Sequence, residues 1–135
     1  MKNSIPFYKM VASGNDFVVV DNRRGVVKDA LAFTREICRL HQGVGADGVL
    51  LFENSRKAHF KMRILNLDGS EAAACGNGFR CIALFAHDIL KYSSRMNFES
   101  GSGLIEAEVG SKSSVRVQLI KPRIFEKDGV IEVRK

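Results

Sequence analysis

The chain has 135 residues, 45% of them apolar and 27% charged, and a formal net charge of +6. That length suits one globular domain with a core of its own, and no apolar run approaches the ~20 residues that a membrane-spanning helix requires. Three cysteines (Cys38, Cys75 and Cys81) are odd in number and widely spaced, which argues against a disulfide framework and predicts reduced thiols in a cytoplasmic protein.

In chain order, the opening MKNSIPFYKM lacks the apolar core of a signal peptide. IPFYKMVA (5–12) and DFVVVDN (16–22) are rich in β-branched and aromatic residues and flank the turn signal SGN, so they read as two strands joined by a loop. DALAFTREICRLHQG (29–43) repeats apolar residues at helical spacing, with Asp29 suited to an N-cap and Gly43 to a C-terminal stop. GVLLFE (48–53) and HFKMRILN (59–66) are strands. The second sets Phe60, Met62 and Ile64 against Lys61 and Arg63, the alternation of a half-buried strand. LDGSEAAACGNG (67–78) is a long loop. The helix that follows, about 76–92, is apolar round most of its circumference and is expected to be buried. Three short strands close the pattern at 95–100, 104–110 and 114–120, with turns at Gly101–Gly103 and at GSKS. These elements predict an α/β fold with a mixed β-sheet wrapped around a central helix and one lateral helix.

The positive charge is scattered apart from NRRG (22–25), and no aromatic residues alternate with it to form a stacking platform, so no nucleic-acid partner is expected. The basic balance is equally compatible with an anionic small-molecule substrate. The cysteine spacings fit no zinc motif, and His41, His59 and His87 stand apart from any carboxylate cluster, so no metal site is expected.

The chemistry concentrates in three glycine-containing loops. Cys75 stands at the mouth of the apolar helix, where unpaired N–H groups and a partial positive charge favour a thiolate. Gly76 and Gly78 leave its surroundings open, and the backbone N–H groups of Gly76, Asn77 and Gly78 can cradle a carboxylate or phosphate. Asn15, Asn66 and Asn77 all lie in such loops. An uncharged amide suits a substrate that presents both ammonium and carboxylate, whereas any one of these asparagines alone would read as a turn residue. In HQGVGADGVLLFE no Gly-Lys-Ser/Thr follows the glycines, which excludes a Walker loop, and a strand rather than a helix comes after them, which excludes a dinucleotide fingerprint. There Asp47 reads equally as an orienter of backbone amides or as an exposed turn acid. Cys38 and Cys81 read as packing, and His87 as a satisfied polar residue on a buried helix.

Taken in order, FYKMVASGNDFVVVDNR, GVGADGVLLFE, MRILNLDGSEAAACGNGFRC and NFESGSGLIEAEV resemble the successive blocks of the diaminopimelate epimerases, through about residues 7 to 125. The resemblance implies a cofactor-independent isomerase of lysine and cell-wall synthesis that interconverts L,L- and meso-diaminopimelate by acid/base catalysis with two cysteines. It implies two similar halves, each a mixed sheet around a central helix, with the active site in the cleft between them. On the matching positions, Cys75 is the first catalytic cysteine, Gly76 and Asn77 hold the substrate carboxylate and amino group, and Asn15 and Asn66 bind substrate. Some members place a glutamine at the position of Gly48, a contact that glycine cannot supply. Members run to about twice this length and carry the second cysteine in their second half. Residues 1–120 are therefore expected to form one epimerase half-domain and 121–135 to begin the connection to a missing second half, or to a homodimer partner in its place. Two alternatives stay open: a non-catalytic relic or binding module of the same fold, and a racemase of another amino acid such as proline, against which the GNDF block speaks.

Overall fold

The computed structural model describes residues 4–122 and 128–134. Eight strands form one sheet: β1 (Tyr8–Ala12), β2 (Asn15–Asp21), β3 (Gly48–Glu53), β4 (Phe60–Asn66), β5 (Glu71–Ala72), β6 (Arg95–Ser100), β7 (Gly103–Val109) and β8 (Val115–Val117). The order across the sheet is β1-β2-β3-β4-β6-β7-β8, with the two-residue β5 hung on β4. The pairs β2–β3 and β4–β6 are parallel and the others antiparallel, so the sheet is mixed. Each parallel pair is joined by a helix: α1 (Ala30–Ile37) between β2 and β3, and α2 (Gly76–Asp88) between β4 and β6.

Strand alternation sorts the side chains onto two cores. Phe17, Val19, Leu50, Phe52, Phe60, Met62 and Ile64 point to one face and pack on α2, while Val18, Val20, Val49, Leu51 and Leu65 point to the other, beneath α1. Central strands covered on both faces read as unbroken apolar runs, which accounts for VVV in β2 and VLLF in β3. The sheet curls so that α2 touches β1 and β2 at one edge and β7 and β8 at the other. Seven of the thirteen residues of α2 are buried, as its apolar circumference predicts. The larger core is built on rings. Phe52 stacks on Phe60 with centroids 4.3 Å apart and meets Phe85 and Tyr92 edge-on at 5.8 and 5.6 Å. Phe98 continues the stack from Phe60 at 4.9 Å.

Several elements are shorter than their sequence patterns, among them the first strand, which covers 8–12 of the expected 5–12. Asp29 caps α1, accepting the Ala32 N–H at 3.0 Å, but the helix ends at Ile37 rather than running to Gly43. Beyond it the chain folds back over the helix end. The Gly43 N–H donates to the Arg39 carbonyl, and a Cβ on Gly43 would lie 2.5 Å from the carbonyl oxygens of Glu36 and Ile37. Gly43 is thus a close-approach glycine, not a cap. Helix α2 stops at Asp88, where Ile89 caps it onto Phe85, instead of reaching residue 92. The last strand covers 115–117 of the expected 114–120. Among the described residues no helix is long and apolar enough to cross a membrane. Of the expected connection at 121–135, residues 123–127 and 135 lie outside the described residues.

Candidate active site

The β1–β2 loop is two residues long, and both are left-handed: Ser13 at φ 50° and Gly14 at φ 77°. That is the type I′ geometry matched to strand twist, and it makes Asn15 the first residue of β2, opposite Ala12. Alternation then puts Asn15 on the same face as Phe17 and Val19, the face turned to α2. The row below it runs Phe17–Gly48–Asn66 across β2, β3 and β4, so Gly48 and Asn66 sit at this rim on the same face. A Cβ on Gly48 would lie 2.5 Å from the Leu65 carbonyl oxygen, so this backbone admits no side chain at 48 without shifting the β3–β4 ladder.

The N-terminus of α2 reaches the rim from the other direction. Cys75 is its N-cap, in extended conformation (φ −155°, ψ 112°), and its sulfur accepts the Gly78 N–H at 3.4 Å. The Phe79 N–H closes onto the Cys75 carbonyl at 2.8 Å. Of the first donors of the helix, those of Gly76 and Asn77 have no acceptor among the described residues, which is the arrangement an incoming carboxylate needs. Gly78 is tightly packed: a Cβ there would lie 3.2 Å from Met62 Cε and 3.3 Å from Leu50 Cδ2, and those side-chain ends would have to give way by a few tenths of an ångström. Gly76 is not confined in that way, for a Cβ would find only Leu119 Cδ2 at 3.7 Å.

Side chains tie the two sides of the rim together. The Cys75 thiol points at Asn15 Oδ1, 3.6 Å away, and Asn77 Nδ2 donates to the same oxygen at 3.4 Å. Asn15 Nδ2 donates to Asp47 Oδ2 at 2.8 Å. Arg80 donates to Asn77 Oδ1 and, at 3.1 Å, to Ser13 Oγ. Asp16, on the far side of β2, is ion-paired to Lys9 at 2.9 Å. That bond from Lys9 holds its carboxyl below the usual range, helped by the Asp47 N–H. The other two thiols are sealed away. Cys38 and Cys81 are each 3% exposed. Burial raises the Cys38 thiol, and burial followed by the proximity of Cys75 pushes the Cys81 thiol up to about 11.

The family model for diaminopimelate epimerase matches residues 7–125 of this sequence. The chain belongs to the diaminopimelate epimerase family. Curated diaminopimelate epimerases resemble it closely. That of Chlorobaculum tepidum is 41% identical over 123 residues, which is 90% of this chain and 48% of the relative. That of Campylobacter jejuni is 44% identical over 115 residues, 85% of this chain and 45% of the relative. The chain thus spans about half the length of the curated relatives it matches. A solved structure described as a probable proline racemase from Agrobacterium radiobacter K84 superposes with a TM-score of 0.65 at 17% identity, covering 87% of this chain and 42% of that one. At that identity the likeness shows the fold: a mixed sheet curled about a helix, as in the racemase-like neighbours.

At this rim, the residues picked out from the sequence are not equally close. Cys75, Asn77 and Asn15 form one hydrogen-bonded cluster, and Gly76 opens the helix between the first two. Asn66 shares their rim and face but turns its amide to Ser70 Oγ at 3.1 Å. Arg80, Ser13 and Lys9 join the network without a signal in the glycine-rich loops, and Asp47 joins it from a position whose sequence reads two ways. Arg80 was legible in principle, since it stands three residues after Asn77 and so on the same helix face. Asp47 proves to be exposed and also to bind a backbone amide, that of Asp16 at 3.1 Å. His87 belongs to the last turn of α2, half-exposed and 2.7 Å from Asp88, and takes no part in the rim.

Proposed function

We propose that this chain is one half of an amino-acid epimerase that converts L,L-diaminopimelate to meso-diaminopimelate without a cofactor, and that Cys75 is one of its two acid/base groups. Residues 1–120 act as the half-domain, and 121–135 begin the link to a second half that closes the cleft and brings the other cysteine. The observation that carries the reading is the placement of Cys75. Its thiol stands at a helix mouth beside two unpaired N–H groups and two asparagine amides, within a chain whose relatives bear this activity by name.

The chemistry follows from that placement. An α-hydrogen is very weakly acidic, so the negative charge that develops on its removal must be met by fixed dipoles in a site closed to water. The N–H groups of Gly76 and Asn77 hold the substrate carboxylate and draw charge toward it. The Cys75 thiolate removes the α-proton and becomes a thiol. A thiol on the opposite face delivers its own proton to the carbon and becomes a thiolate, which inverts the centre. The return reaction exchanges the two roles. Asn15 and Asn66 line the rim to bind the remaining polar groups of the substrate. The protein works in the cytoplasm on a small-molecule substrate.

Incubation with L,L-diaminopimelate in deuterated water tests this. The chain alone is expected to exchange the α-proton slowly without inversion, because a single thiol takes and returns a proton on one face. Supplying the second half of a relative should turn exchange into inversion, and Cys75→Ala should abolish both. The proposal is wrong if Cys75→Ala leaves exchange intact, or if the chain alone inverts substrate while a second thiol is excluded.

A further inference from the structure

We propose that Asp47 is a positioning residue for Cys75: acting through Asn15, it determines that an amide oxygen, and not an amide N–H, faces the sulfur. The inference rests on the acid/base reading of Cys75 given above.

The argument begins with what each end of the hydrogen-bond chain is able to do. A carboxylate has no hydrogen to donate, and a guanidinium has no lone pair to accept with. Asn15 must therefore meet Asp47 with its nitrogen, and Asn77 must meet Arg80 with its oxygen. Both bonds are present, Asn15 Nδ2 to Asp47 Oδ2 at 2.8 Å and Arg80 Nη2 to Asn77 Oδ1. Between the two poles only one pair of amide orientations remains, and in it Asn77 Nδ2 points at Asn15 Oδ1, 3.4 Å away. Turning either amide over would set N–H₂ against a guanidinium or oxygen against a carboxylate.

Asp47 is itself held in place. Its Oδ2 also accepts the Asp16 N–H at 3.1 Å, and its own N–H reaches Asp16 Oδ1 at 3.1 Å and the Asp16 carbonyl at 3.0 Å. Asp16 is in turn ion-paired to Lys9. The titratable and charged groups on the sulfur's side of the sheet are therefore Cys81 and Arg80 on α2, with Asp47 before β3 reached through Asn15; Asp16 and Lys9 lie on the far face of β2.

The consequence falls on Cys75. With Asn15 oriented this way, its Oδ1 lies 3.6 Å from the sulfur and can only accept from it. The amide therefore aims the S–H hydrogen and gives a thiolate no support, which comes instead from the Gly78 N–H at 3.4 Å. Without Asp47, only the long bond from Asn77 Nδ2 at 3.4 Å still holds the Asn15 oxygen, and an amide that turns presents N–H₂ to the sulfur, adding a donor to the thiolate.

The test reads the pH dependence of Cys75 alkylation in the purified chain, with the Cys75 peptide followed by mass spectrometry. Asp47→Ala is expected to lower the midpoint by about one to two pH units, the worth of one hydrogen bond to a charged group. Part of any shift comes from removing a negative charge. Asp47→Asn measures that part, because it removes the charge while keeping an oxygen for Asn15. The deciding comparison is Asp47→Ala in an Asn15→Ala background, where only the through-space part should survive. Should Asp47→Ala fail to fold, Asp47→Ser serves, being too short to hold Asn15 yet able to accept the Asp16 N–H. The proposal is overturned if the shift is equal in the two backgrounds, or absent from both. These readouts need no substrate, so failure of the exchange assay would remove the catalytic reading while leaving a shift that depends on Asn15, and the reverse pattern would remove only the role of Asp47.

Discussion

Iodoacetamide should mark Cys75 and pass over Cys38 and Cys81 for as long as the fold holds. The size of the difference can be worked from two quantities. The reagent attacks the thiolate, and with the Cys81 thiol pushed up to about 11, roughly one molecule in a thousand carries that thiolate near pH 8. Access is the second factor. Cys81 is 3% exposed on the core side of α2, so a reagent reaches it only when the helix leaves the sheet. An opening on that scale draws on much of the global stability, of order 5–15 kcal/mol, which suppresses labelling by about a further four powers of ten at the least. Cys38 is equally covered, and burial raises its thiol as well. Cys75, by contrast, is half-buried at the helix mouth and needs no opening. The assay is a short alkylation pulse in native buffer between about pH 7 and 9, then digestion and quantitation of the three cysteine peptides, with concentrated urea as the control in which all three react. Labelling of Cys38 or Cys81 under native conditions at a rate comparable to Cys75 would refute the reasoning.

Other perturbations give distinct outcomes. The Cys81 thiol rises from 9.0 to about 11 on folding, so the stability it contributes is fully present below pH 9 and is lost as pH climbs toward 11. A drop of about 2–3 kcal/mol should appear in urea midpoints over that window and flatten in Cys81→Ala, and an unchanged profile in that variant contradicts the assignment. Phe52→Ala removes the centre of the ring stack and should cost about 3–5 kcal/mol by chemical denaturation, with a loss below 1 kcal/mol as the contrary result. Asp29→Ala should cost about 1 kcal/mol through loss of the α1 cap, and Asp29→Asn should restore most of it. Gly48→Ala should cost about 1–3 kcal/mol because its Cβ meets the Leu65 carbonyl, and a thermal midpoint equal to that of the parent would show that the β3–β4 ladder yields freely.

Legibility in the sequence tracks the range of the interaction concerned. The alternation of Phe60, Met62 and Ile64 with Lys61 and Arg63 is a local consequence of one buried face, and β4 follows it to its last residue, Asn66. The apolar circumference of α2 likewise reports its place inside the curl of the sheet. The periodicity of α1 continues to Leu40, beyond the helix end at Ile37, while the backbone is turned aside at His41 (φ 63°) to fold over the helix end, a choice made by packing rather than by pattern. The two-residue β5 owes its existence to β4 and leaves no mark of its own. At the rim, the residues Cys75, Asn15 and Asn77 could be picked out by their glycine-rich settings. The bonds among them span about sixty positions of chain and depend on the register of β1 with β2 and on the reach of Arg80 and Asp47, which no local pattern encodes.

The antiparallel step between β3 and β4 has a consequence for where the helix bearing Cys75 lies. Both helical crossovers, β2 to β3 and β4 to β6, advance in the same direction across the sheet. A right-handed crossover puts its helix on a side fixed jointly by that direction and by which way the strands run. Because the chain reverses once between the two crossovers, the same hand sends α1 outward and α2 into the hollow. Without the reversal, both helices would compete for one surface, the hollow would have no axis, and the turn at Asn15 would face open solvent instead of a helix mouth. The site is thus an outcome of a single change of strand direction, made well before the chain reaches Cys75.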